Sequence, residues 1–221
     1  MTDTYKTLRQ NSEAEYVEKR SRFISRLWTV ATEAEAKALL GEMRTKHWDA
    51  SHNVYAWVIR EEDMVEAPAS GVRMLARHSD DGEPQGTAGL PVLDVLRRGE
   101  ICNALCVVTR YFGGVLLGAS GLTRAYAHAA KLALNEAGVL LWQRWAEARL
   151  VCDYARYERL RAAALQGGAL VEREDFLQDV TLTLAIPAEE WDGLQALLTD
   201  VSAGEAALQR LGERHRGIQP G

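Results

Sequence analysis

Apolar and polar positions alternate along this chain with two periods, which separates strands from helices before any other property is considered. Over residues 14–30, Phe23, Ile24, Leu27, Trp28 and Val30 form an aromatic and β-branched run. The polar triplet 19–21 breaks it, predicting two short strands. Thr32 followed by Glu35 reads as a capping box, and Ala36, Leu39, Leu40 and Met43 keep helical spacing to about residue 47. HNVYAWVIR (52–60) is a strong strand pattern, 61–72 with Pro68 and Gly71 is loop-like, and a strand resumes over 72–78. Pro91 suits the first turn of a helix that reaches about residue 98 and stops at Gly99. The apolar run 101–111 predicts a buried strand. A helix over 120–137 closes at Gly138, and a further strand begins over 140–145.

From about residue 146 the order changes. A strand is expected over 148–153, a helix over 154–165 ended by Gly167 and Gly168, and a strand over 169–174. VTLTLAI (180–186) alternates cleanly, Pro187 opens a helix through Trp191, Leu194 and Leu198, and 205–211 reads as a last strand. The order βαββαβ is the ferredoxin-like unit. The expected organisation is therefore α+β in two domains, 1–145 and 146–212, each a sheet with helices on one face, followed by an unstructured tail over 213–221.

The 221 residues have room for one large or two small domains, and 47% apolar with 26% charged content is that of a soluble globular chain. No stretch approaches ~18 consecutive apolar residues, and the polar start MTDTYKTLRQ has no secretory apolar region, so no membrane contact and a cytoplasmic location are expected. Cys102, Cys106 and Cys152 form no CxxC pair and read as small buried hydrophobes rather than metal ligands. The net charge of −5 is uneven: 1–145 carries 18 basic and 18 acidic residues, 146–221 carries 8 and 13. That excludes a protein coating nucleic acid through a broad basic surface, but leaves room for a local basic patch. Lys19, Arg20 and Arg22, with Arg26 beyond, are its best candidate.

Two glycine-rich loops each lead into a helix. In the second, Gly113 to Ser120 nearly matches the phosphate loop G-x-x-x-x-G-K-S/T, but Ala119 stands where its lysine belongs. Nucleotide hydrolysis is therefore not expected. The helix start could still hold a phosphate or carboxylate, since its first turn lacks an acid and instead offers Arg124, with Arg110 a strand-end away. The same glycines could equally serve tight packing beneath an alanine-rich helix. In the first loop, Asp80, Asp81 and Glu83 either cap the turn and the next segment or hold a cation such as magnesium and work as acid or base. Asp80 and Asp81 are the metal candidates, and no cofactor is expected. His52 opens its strand beside Tyr55 and Trp57, His128 lies on the Arg124 side of its helix, and no nucleophile elbow or H-E-x-x-H is present.

Four segments, KRSRFI (19–24), HNVYAWV (52–58), SDDGEPQGTAG (79–89) and RYFGGVLLGASGLTRAY (110–126), together resemble the IMPACT/YigZ family. The chain departs from the commoner family pattern at Ala119 and Ser120, where many members carry Thr-Gly, and at Phe112, often Tyr. The second half is similar to the small C-terminal domain of bacterial members and to the last domain of elongation factor G. The resemblance implies a first domain of the ribosomal-protein and elongation-factor domain IV type, a βαβ sandwich. That superfamily also contains small-molecule kinases, which keeps a phosphate site open. Eukaryotic members regulate translation, and for bacterial ones ribosome or nucleic-acid binding is inferred from domain similarity.

The expectation is thus a cytosolic, non-catalytic binding protein in translation or its regulation. Its partners would be the ribosome, RNA or a translation-associated protein, with a phosphate or carboxylate group as ligand. The binding surface would comprise Arg22, His52, Asp80, Asp81, Glu83, Gly86, Thr87, Arg110, Tyr111, Gly113, Gly114, Gly118, Ser120, Gly121 and Arg124. The alternative is an enzyme acting on a phosphorylated or acidic small molecule with a divalent cation.

Overall fold

In the computed structural model the described residues are 4–61 and 73–219. The chain divides within one strand into two compact units, Tyr5–Leu141 and Trp142–Ile218. This division falls a few residues before the boundary read at 146.

The first unit runs β1 (Tyr5–Leu8), β2 (Ser12–Glu18), β3 (Ser21–Thr29), α1 (Glu33–Lys46), β4 (His52–Glu61), β5 (Arg73–Ser79), α2 (Gly89–Arg98), β6 (Ala104–Tyr111) and α3 (Ala119–Ala137). Thr32 caps α1 by accepting the Glu35 N–H, and the Glu35 carboxylate accepts the Ala31 N–H, so the box closes one residue further out than expected. The sheet order is β2-β3-β6-β4-β5, every pairing antiparallel.

Helices cover both faces of this sheet, not one. Val54, Ala56 and Val58 with Cys106 and Val108 face α2 and α3, while Trp57, Ile59, Leu105 and Val107 face α1. A strand apolar on both faces needs a cover on each. The alanines of α3 (Ala125, Ala129, Ala130, Ala133) are what bring that helix close to the sheet. β1 was not signalled by the sequence, and β6 starts at Ala104 because Ile101 makes only an isolated bridge to Lys6. The segment read as a loop over 61–72 lies outside the described residues, except Glu61, which ends β4.

The second unit contains β7 (Val139–Cys152), α4 (Tyr154–Gln166), β8 (Leu170–Phe176), β9 (Val180–Pro187), a single 3-10 turn (Ala188–Glu190), α5 (Trp191–Val201) and β10 (Leu208–Ile218). β8, β9, β7 and β10 lie in that order in the sheet, the ferredoxin-like arrangement. Its core gathers Leu150, Leu160, Leu182, Leu184, Leu194 and Leu198.

Two expectations fail here. The strands read at 140–145 and 148–153 are one strand, whose buried side switches between Trp145 and Ala146. That slip of the period-2 pattern imitates a break. The tail expected to lack structure is strand as far as Ile218. Its arginines are tied to acids of other strands, Arg214 to Glu147 on β7 and to Glu172 on β8, and Arg216 to Glu172. A polar strand held by a ladder and ion pairs has the composition of a disordered one.

Candidate nucleic-acid interface

The loop from Gly113 to Gly118 delivers the chain into α3. The first helical bond is Leu122 N–H to the Gly118 carbonyl at 2.9 Å, which leaves the Ala119, Ser120 and Gly121 amides ahead of it without helical acceptors. No side chain caps Gly118 and no acid stands in the first turn. Ser120 is exposed at the second helical position.

Arg110 does not join this helix start as an outward cation. Its guanidinium is buried, with Nη1 2.5 Å from Glu83 Oε1 and Nη2 donating to Ser21 Oγ at 3.2 Å. It lies over the rings of Phe23 and Phe112. Tyr126 donates its hydroxyl to the same Glu83 oxygen at 2.7 Å. Burial, reinforced by the Glu83 carboxylate, pushes the Tyr126 phenol pKa well above its usual range. His52 Nδ1 faces the Asp81 carbonyl at 2.8 Å and so carries the proton, and its Nε2 stands 3.7 Å from Glu83. The expectation that Arg110 and Arg124 present paired charges is therefore corrected. Arg110 sits on the sheet face that α3 covers, where Glu83 neutralises it. Arg124 lines a different cavity.

The acidic turn is a cap. Asp80 accepts the Gly86 N–H on one oxygen and the Ala88 and Gly89 N–H groups on the other, at 2.8–3.0 Å, closing the start of α2. Burial opposes its ionisation, but these three amides outweigh burial and hold the carboxyl pKa below its ordinary value. Asp81 places one oxygen 2.8 Å from Arg44 and accepts the Asn53 N–H on the other. Both carboxylates are thereby committed, and among the described residues no His, Cys, Asp and Glu cluster could hold a metal ion. Thr87 is buried, with its hydroxyl on the Pro84 carbonyl. Arg22 pairs at the surface with Glu15. Cys106 is buried on the sheet, its thiol pushed up to about 12 by desolvation.

Tyr111 belongs to a separate cluster. Arg26 donates to His47 Nε2 at 2.7 Å, so His47 Nδ1 carries the proton toward Tyr111 Oη at 2.8 Å. Burial first, then the Arg26 and Lys46 charges, hold the His47 pKa below its ordinary 6.5. The unfolded chain thus takes up this proton first as pH falls. The stabilisation is complete above the ordinary value and is lost as pH falls from there toward the lower folded-state value. Urea melts between pH 8 and 5 should show this loss, and His47→Gln should flatten it.

The cationic surface lies on the other flank of α3. A cavity of about 710 Å³ opens between the β2–β3 hairpin, the end of α2 and the Arg124 face of α3. Lys19, Arg98, Arg124 and Lys131 line it and are exposed, with His128 among them. None of these four cations has an ion-pair partner among the described residues, whereas Arg22, Arg26, Arg44, Arg110, Arg161 and Arg214 are all paired. The lining carboxylate, Glu18, accepts the Tyr16 hydroxyl at 2.7 Å. Of the expected surface, only Gly121 and Arg124 line this cavity; His52, Glu83, Arg110 and Gly118 line a second one, of about 430 Å³, between the β4 start and the loop that leads into α3. Gly86 and Gly114 line neither. The spacing 124, 128, 131 was a legible helix-face signal for His128 and Lys131. Arg98 comes from another helix and carried none.

Two α+β units, the first a sandwiched antiparallel sheet with a cationic groove and the second ferredoxin-like, define the class. Residues 19–134 match the Impact N-terminal domain and 150–205 a domain of unknown function, DUF1949. IMPACT family member YvyE of Bacillus subtilis (strain 168) is 32% identical over 95% of this chain and 92% of its own. IMPACT family member YigZ of Escherichia coli (strain K12) is 34% identical over 88% and 92%. A solved structure described as that of a hypothetical protein aligns with a TM-score of 0.56 at 31% identity, covering 96% of this chain and 98% of that one. The chain belongs to the IMPACT family. No described helix is long and apolar enough to cross a membrane.

Proposed function

We propose that this protein is a cytoplasmic, non-catalytic binder of RNA that acts in translation or its regulation, gripping the phosphate backbone in the groove between the β2–β3 hairpin, α2 and α3. One observation carries the reading: four cations line one cavity, none in an ion pair among the described residues, against a single lining carboxylate, Glu18. Like charges gathered around one cavity repel one another, and a bound polyanion relieves that repulsion. The protein's net charge of −5 fits local rather than general nucleic-acid affinity. The role in translation that the resemblance implies for eukaryotic members favours RNA as the source of the phosphates.

The test is fluorescence anisotropy with a labelled single-stranded RNA over a salt series. Arg124→Glu with Lys131→Glu should weaken binding on the order of 100-fold and make the log K against log salt slope shallower by at least about 1.4, the share of two phosphate contacts. Both residues are exposed, so the fold should be retained, which thermal melting checks. Unchanged affinity in a folded double variant refutes the groove as the RNA site.

A further inference from the structure

We infer that the RNA this groove takes is single-stranded, with one unpaired nucleotide inside the cavity and a neighbouring phosphate held by the strained Lys19–Arg20 turn; this rests on the groove being the RNA site. The first observation is shape. The cations surround a concavity of about 710 Å³, a volume that admits a nucleotide, whereas a duplex, convex and with its bases stacked inside, would meet only the rim. The walls are suited to a base. Tyr16 and His128 stand edge to face with centroids 4.6 Å apart, beside Val95, Leu117 and Ala125. A charged rim over an aromatic and apolar interior is how single strands are bound, the backbone on the cations and the base against a ring.

The second observation is backbone strain. Glu18 pairs with Ser21, so Lys19 and Arg20 form a two-residue hairpin turn, and both have positive φ, 46° and 66°. Such a turn is relaxed with Asn-Gly and costly with side-chain-bearing residues such as lysine and arginine. The turn is nevertheless locked in place. Ser21 Oγ accepts the Gly113 N–H at 3.2 Å and an N–H of Arg110 at the same distance. Lys19 projects into the cavity wall and Arg20 is exposed beside it, neither with an ion-pair partner among the described residues. Cations kept in a conformation that disfavours them, and pinned there by buried contacts, are explained by a ligand that needs the charge at that point.

The experiment replaces the turn by its relaxed sequence, Lys19→Asn with Arg20→Gly, in the full chain. The variant should melt about 4 °C higher, since the strain is relieved, and yet bind a labelled oligouridylate of twelve nucleotides at least 10-fold more weakly. The native protein should prefer that strand at least 10-fold over the same strand annealed to oligoadenylate. Equal binding of strand and duplex, or a turn variant that binds like the native protein, overturns the inference. If Arg124→Glu with Lys131→Glu loses binding while the turn variant keeps it, the groove reading stands and this inference alone fails.

Discussion

Replacing Arg110 with alanine is expected to lower the stability of the protein by about 3–5 kcal/mol, the usual consequence of removing one partner of a buried ion pair. The Glu83 side chain is only 4% exposed. Without the guanidinium it would keep the Tyr126 hydroxyl and a distant His52, too little for a desolvated carboxylate. Ser21 would lose a donor, and the Phe23 and Phe112 rings the cation above them. Urea unfolding of the full chain measures the loss. Arg22→Ala is the contrasting control: its partner Glu15 and the guanidinium are both in water, and its melt should coincide with that of the native protein. A second variant separates pair from packing. Arg110→Met with Glu83→Gln removes both charges and keeps volume, so it should recover a good part of the stability lost in Arg110→Ala. If Arg110→Ala melts like the native protein, Glu83 does not depend on it. The result also governs how RNA binding is read: weakened binding in an Arg110 variant reports a damaged scaffold, because the groove cations lie elsewhere.

How far this arrangement could be read from the sequence depends on which interactions are local. The Thr32 cap, the break at Lys19–Arg20 and the glycine-led start of α3 are set by neighbours within a few residues, and each was legible. The orientation of Arg110 was legible in principle, since period 2 puts it on the face of Cys106 and Val108, which points to the α2–α3 core. It was misread because a guanidinium at a strand end looks exposed unless a buried acid is known to await it, and Glu83 is 27 positions away. The charged second half of β10, read as an unstructured tail, failed for a related reason. Its partners Glu147 and Glu172 lie far off in sequence, and nothing local to Arg214 or Arg216 announces them. The groove was half legible. Lys19 stood out in a basic cluster and Arg124 at a helix start, but that they share a cavity with Arg98 follows only from the packing of α2 against α3.

The largest effect of a single methyl group should come at Gly113. A Cβ there would fall inside the van der Waals radii of the Arg20 carbonyl group and the Ser21 nitrogen. These are backbone atoms at the turn of the β2–β3 hairpin and cannot swing aside as a side-chain end could. Relief would require the loop or the hairpin to move, stretching the Gly113 N–H bond to Ser21 Oγ and with it the Arg110 contact to the same oxygen. Gly113→Ala is therefore expected to cost on the order of 3 kcal/mol or more. Gly114→Ala and Gly118→Ala provide the scale. Neither would meet an atom within 4 Å, but both have positive φ, 81° and 74°, and each should cost about 1–3 kcal/mol through conformation alone, Gly118 the more because its ψ of 166° puts it in a region that only glycine enters readily. Urea melts of the three variants test the order. At subdenaturing temperature, Gly113→Ala should also bind RNA more weakly than Gly114→Ala, because the atoms it displaces carry Lys19 and Arg20. A Gly113→Ala protein as stable as the other two would mean that the loop and hairpin do not need this close approach, and the turn would lose the support that keeps its two cations strained.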